Sequence, residues 1–148
     1  MKKSDIKAEV IFNGVKQNRL IKLTAEAALC VLIKKECIKK PFVVVFTNNK
    51  TIKKINKLYR YKNESTDVLS FEYGEDSELL GEIMISLETA KKQMLIYGNS
   101  FLKEVLILLI HGFYHILGYK HYRKQDYNKM KNKETAALAF IKFKGKKL

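Results

Sequence analysis

At 148 residues the chain has the length of one domain with one core, and 47% hydrophobic residues exclude a disordered protein. Its 29 Lys and Arg against 15 Asp and Glu leave a formal charge of +14, which points to a polyanionic partner, nucleic acid or an acidic membrane surface. The longest apolar run, Val105 to Ile110, is six residues and too short for a span, and the opening MKKSDIKAEV lacks the apolar stretch of a signal core.

Lys7 to Phe12 reads as a first strand. Thr24 can cap a following helix, with Glu26 in its first turn and Leu29, Leu32 and Ile33 at helical spacing. Cys30 and Cys37 lie seven apart in that pattern and form no CxxC. They are expected as buried free thiols in a reducing compartment, which predicts a cytoplasmic protein. Pro41 introduces the β-branched run Phe42 to Phe46, a buried strand. Thr47 to Leu58 reads as a second helix, with Ile52, Ile55 and Tyr59 on one face.

Asp67 to Tyr73 and Leu79 to Ser86 flank a Gly74 to Ser77 turn and predict a hairpin. Ser86 can cap a helix that ends at Gly98, and Ser100 can cap the next, Phe101 to Leu117. That helix is apolar on nearly all sides and belongs in the interior. A last helix, Arg123 to Phe140, leads into a basic tail at 141–148 that is expected to fray. One proline and seven glycines form no linker, so residues 1–148 are read as a single domain. A ββ hairpin among βα units predicts an α/β (α+β) fold, a mixed, mostly four-stranded sheet with packed helices.

All three histidines lie in HGFYHILGYKH, 111–121. His111 and His115 are i and i+4, so on a helix they share a face, roughly 6 Å apart along the axis. Each can bring one ring nitrogen to a shared ion at about 2.0–2.1 Å. Gly118 can take the left-handed conformation that stops the helix, and His121 then returns as a third ligand. Three histidines and one open position describe a catalytic Zn2+ site for one ion per chain, although imidazole sites also accept nickel and copper.

The spacing equals that of the metzincin proteases, HExxHxxGxxH, except that their general-base Glu is Gly112 here. Peptide hydrolysis by that route loses its base. A phosphodiester fits better, because a metal can both activate water and bind a phosphoryl oxygen, and the positive charge would gather such a substrate.

HGFYHILGYKH at 111–121, STDVLSFE at 65–72, NKLYR from Asn56 to Arg60 and LLGEIMIS at 79–86 together resemble the YbeY-type endoribonucleases of bacteria, in order and spacing and over nearly the whole chain. The resemblance implies a zincin-like fold with zinc on His111, His115 and His121. It also implies cleavage of single-stranded RNA, in maturation of the 3′ end of 16S ribosomal RNA and in ribosome quality control. The partners implied are ribosomal RNA and the ribosome or its small subunit, with neither membrane nor DNA. Arg60 matches the family's functional arginine, where a guanidinium can bind the scissile phosphate, and the TDVLSF strand is expected to border the substrate groove.

Three departures stand out. The family's Asp before the third histidine is Lys120 here, a candidate phosphate contact. The prolines flanking TDVLSF are Ser65 and Glu72, and the usual Asp of the fourth strand is Glu82. Lysine pairs at 34–35, 39–40, 53–54 and 91–92 and the basic tail are candidates for an RNA-facing surface or, more commonly, for solvated faces, and Tyr59, Tyr61, Tyr114, Tyr119 and Tyr122 are candidates for stacking on unpaired bases or, equally, for core packing. No general base is evident. Two rival readings are another zincin-like, protease-like metallohydrolase, and a non-enzymatic RNA-binding ribosome assembly factor with structural zinc.

Overall fold

The computed structural model describes residues 8–145, with side chains to residue 141. Nine elements follow one another: β1 (Ala8–Phe12), α1 (Arg19–Lys35), β2 (Phe42–Thr47), α2 (Asn49–Arg60), β3 (Val68–Glu72), β4 (Gly81–Ser86), α3 (Leu87–Tyr97), α4 (Phe101–Ile116) and α5 (Lys124–Gly145). The strands form one sheet in the order β1-β2-β4-β3. β1, β2 and β4 run parallel, and β3 returns antiparallel on β4 as the expected hairpin. The mixed four-stranded sheet is therefore as predicted.

Alternation along the strands sorts side chains to two faces. Phe42, Val44 and Phe46 of β2 and Ile83 and Ile85 of β4 enter the main core with α1, α3, α4 and α5. Val45, Leu69 and Met84 turn the other way, onto Ile52 and Ile55 of α2. α4 packs on β3 and β4 and against α3, α5 and α1. Ten of its residues are buried, which is why its sequence is apolar nearly all round. Among the described residues no single helix is long and apolar enough to cross a membrane.

Several boundaries differ from the sequence expectation. α1 is capped by Asn18, whose Oδ1 accepts from the Ile21 amide at 3.1 Å, and Thr24 lies inside the helix. Its buried stripe starts at Ile21, two turns before Leu29, and continues through Ala25, Ala28, Leu29 and Leu32. α2 likewise begins after an asparagine cap, Asn48, because Thr47 is still paired in β2; Ile52 is buried, but Tyr59 is exposed. Ser86 and Ser100 cap α3 and α4 as expected.

α5 runs past Phe140, so residues 141–145 are helical rather than frayed; Met130, Ala137 and Ile141 form its buried stripe. Lys7 and residues 146–148 of the expected tail lie outside the described residues. Cys30 and Cys37 are free thiols as expected, but both are exposed rather than buried. Cys30 sits on the outer face of α1, and Cys37 lies beyond the helix at a φ of +53°, so their spacing of seven does not place them on one buried stripe.

Gly112 lets α4 approach the sheet. A Cβ there would stand 2.5 Å from Ile83 Cγ2 and 3.2 Å from both Ser70 Oγ and Val68 Cγ2. Ile83 is fully buried and has nowhere to go. Gly112→Ala should therefore lower stability by about 1–3 kcal/mol in urea unfolding, despite the gain of about 1 kcal/mol in helix propensity. Gly74→Ala, where a Cβ meets nothing within 4 Å, should stay within about 0.5 kcal/mol of the parent.

Candidate metal centre

α4 carries His111 and His115 on one face and ends one residue after His115. Gly118, at a φ of +97°, turns the chain back, with its amide donating to His115 O at 3.0 Å and the Tyr119 amide to Tyr114 O at 3.1 Å. His121 then arrives beside the other two. One ring nitrogen from each histidine lies within 4.8 Å of the others, a group that can hold a metal ion.

Hydrogen bonds at the far side of two rings decide how they present themselves. His115 Nδ1 lies 3.0 Å from the carbonyl oxygen of Tyr119. A carbonyl only accepts, so Nδ1 carries the proton and Nε2 the lone pair. His111 Nδ1 donates to Glu134 Oε1 at 2.8 Å, which leaves its Nε2 a lone pair as well. The two Nε2 atoms face each other at 3.0 Å. Two lone pairs at that distance repel, and a cation between them removes the repulsion. Two nitrogens tetrahedrally bound to one ion stand roughly 3.3 Å apart, so the residues fit a metal with little adjustment. Burial first, then neighbouring His111, pushes the His115 pKa down to about 4, which keeps the ring in its ligating, neutral form at pH 7.

From the histidines extends a groove of about 760 Å3. Its walls include Thr66 to Phe71, so the TDVLSF strand does border it. Arg60, the last residue of α2, lies on the groove, its Cζ 5.3 Å above the Phe71 ring and its Nη2 donating to Ser70 O. The Ser70 hydroxyl in turn donates to Gly112 O at 3.2 Å. Arg60 is thus tied through one residue to the helix that bears the histidines. Buried Asn56 supports this end, its Nδ2 donating to Glu64 O at 2.9 Å.

Lys120 is also on the groove and pairs with Glu72 at 3.5 Å. Two of the departures from the family pattern therefore compensate each other. Glu82 accepts from the Tyr73 hydroxyl at 2.9 Å and lines no part of the groove. Nor do the four lysine pairs, whose spacing gave no guide to where the sheet would carry them.

Of the tyrosines, Tyr59 and Tyr122 line the groove and are exposed. Tyr61 is exposed at the left-handed cap of α2 and lies off the groove. Tyr114 cannot stack on a base, because it is fully buried, and burial holds its hydroxyl pKa well above the usual value. Tyr119 packs against it at 5.5 Å.

Sequence reasoning missed Glu134, Ser70 and the engagement of Asp67. Glu134 had a signal: it shares the face of α5 that carries Met130, Ala137 and Ile141, a carboxylate on an apolar stripe. Asp67 accepts from the Val68 amide at 2.8 Å and from Gln93 Nε2 at 3.1 Å, and no local pattern announces the second bond.

The sequence profile of the endoribonuclease YbeY family matches residues 6–142. The endoribonuclease YbeY of Carboxydothermus hydrogenoformans is 41% identical over 100 residues, covering 66% of this chain and 70% of that protein. That of Pelagibacter ubique is 42% identical over 106 residues, covering 68% and 69%. The solution structure of TM1509 from Thermotoga maritima matches with a TM-score of 0.70 over 94% of this chain and 91% of that one, at 24% identity. That likeness shows a shared fold.

Removing the Glu134 carboxylate frees the His111 ring to rotate and to change tautomer. Glu134→Ala should weaken metal affinity roughly 10- to 100-fold, read by competition with a chromogenic chelator. Unchanged affinity in a folded variant would show that Glu134 does not orient the ligand.

Proposed function

The chain belongs to the endoribonuclease YbeY family, and on that premise we propose that it is a zinc-dependent endoribonuclease that cuts single-stranded RNA. Its substrate is small-subunit ribosomal RNA, met in the cytoplasm during maturation of the 3′ end and in ribosome quality control. The observation that carries the reading is the pair of Nε2 lone pairs facing each other at 3.0 Å at a groove that also holds Arg60. Held by His111, His115 and His121, a zinc ion supplies Lewis acidity toward a phosphoryl oxygen and toward water.

The protein's own groups do the rest. Arg60 uses one N–H on Ser70 O and keeps further donors for the scissile phosphate, while the Phe71 ring beneath it limits the tilt of the guanidinium. Charge that develops on the phosphate in the transition state is met by a group already oriented. Lys120 binds a neighbouring phosphate. Its pair with Glu72 is about half exposed on both sides and worth about 0–1 kcal/mol, so a phosphate displaces it readily. Tyr59 and Tyr122 favour unpaired strands because a base in a duplex offers no free face to an aromatic ring. The net charge of +14 concentrates the polyanion. Position 112 faces Ile83 of the sheet and offers no room for a protease-type glutamate.

Arg60→Ala should reduce kcat on a single-stranded RNA by roughly 10²- to 10³-fold, with zinc content by elemental analysis and unfolding midpoint unchanged. Stripping the metal should abolish cleavage and zinc should restore it. Full activity in stripped, metal-free protein would sink the reading. RNA binding should also weaken steeply, by orders of magnitude, as salt rises from roughly 50 to 200 mM.

A further inference from the structure

A second cavity, of about 460 Å3, borders the same centre on the side of α3 and α5, and that volume is within the roughly 300–1,000 Å3 of small-ligand sites. It shares Asp67, His111 and His121 with the groove, but its chemistry is different. The groove sets Arg60, Lys62 and Lys120 against Glu64, Asp67 and Glu72. The pocket sets one cation, Lys131, against Asp67, Glu104 and Glu134. A phosphate is disfavoured there, and hydrogen-bond donors are favoured.

Its remaining surface suits a flat ring. Ile107, Leu108 and Met130 supply apolar wall, and Tyr97 and Tyr127 line it with 66% and 52% of their surface exposed. An exposed aromatic at a pocket beside a nuclease centre is a stacking platform for a base. Glu104 is the telling residue. It lines the pocket while only 1% exposed, and its Oε1 accepts from Asn99 Nδ2 at 2.6 Å. Its Oε2 has no hydrogen-bond partner among the described residues. An ionised carboxylate only accepts, so an N–H is the ligand group that this oxygen takes.

We propose that this pocket receives one unpaired nucleobase of the RNA whose phosphates lie along the groove, and that Glu104 selects bases with an exocyclic amino group over uracil. Adenine, cytosine and guanine each present an amino N–H to the free carboxylate oxygen. The only ring N–H of uracil lies between two carbonyl oxygens, which the carboxylates of the pocket repel. The inference rests on the nuclease reading and adds to it a base-recognition site separate from the phosphate track.

The test uses the full-length, zinc-loaded protein and a single-stranded RNA with randomised positions, with cut sites mapped by sequencing. The wild type should disfavour uracil about fivefold or more at one fixed position relative to the cut. Glu104→Gln, which adds an amide donor, should erase that bias. Because Glu104 is buried, Tyr127→Ala on the exposed rim provides the second variant; it should raise KM roughly 5- to 100-fold with zinc content and kcat unchanged. RNA cut without base bias, together with a wild-type KM in Tyr127→Ala, would overturn the pocket assignment and leave the nuclease reading standing. Failure of the wild type to cut any RNA would overturn the nuclease reading itself.

Discussion

Two imidazole nitrogens held 3.0 Å apart, each with its lone pair toward the other, are the constraint on which the rest of this structure depends. Neither ring would keep that orientation by itself. Glu134 fixes one and the Tyr119 carbonyl the other. The first requires α5 to lie against α4, and the second requires the chain to reverse at Gly118. The burial of α4, the apolar stripe of α5 and the left-handed turn are therefore also parts of the centre. Hydrophobic packing supplies the rigidity, and the local repulsion is a small cost against a core of this extent.

Gly112 links this centre to the sheet. By removing a side chain it brings α4 close enough for Ser70 to reach its backbone, and Ser70 also holds Arg60. The position occupied in metzincin proteases by a general base is here a packing contact. The same histidine spacing thus stands in a different setting, with Gly112 against the sheet and an arginine on the groove. Electrostatics divide the surroundings further: the groove balances three cations with three carboxylates, whereas the pocket behind it sets three carboxylates against one lysine. The pairing of Lys120 with Glu72 keeps the unusual lysine from leaving a lone charge beside the third histidine.

Much of the fold was legible because its signals are local. Ser86 and Ser100 cap helices that follow at once, and the Gly74 to Ser77 turn lies between two runs of strand-forming residues. α1 and α2 were misplaced at their starts because threonine and asparagine both cap helices, and only the buried stripe from Ile21 and the pairing of Thr47 in β2 select the asparagines. Cys30 was misplaced, and Tyr114 left between core and stacking, for a similar reason. Residue type says little about which face of a helix turns inward, and α4 buries its tyrosine while α1 exposes its cysteine.

By itself the sequence determined the three histidines, the glycine that turns them toward one another, the order of strands and helices, and the arginine singled out by family resemblance. The histidines and the glycine follow from spacings of a few residues, over which helix geometry is fixed; the arginine rests on the resemblance alone. Tertiary structure alone decided that Glu134, 23 residues from His111, would set its tautomer, that Ser70 would bridge Arg60 to α4, and that a carboxylate-lined pocket would lie beside the three histidines. Those contacts join residues far apart in the chain, and their geometry exists only once the sheet and helices have packed.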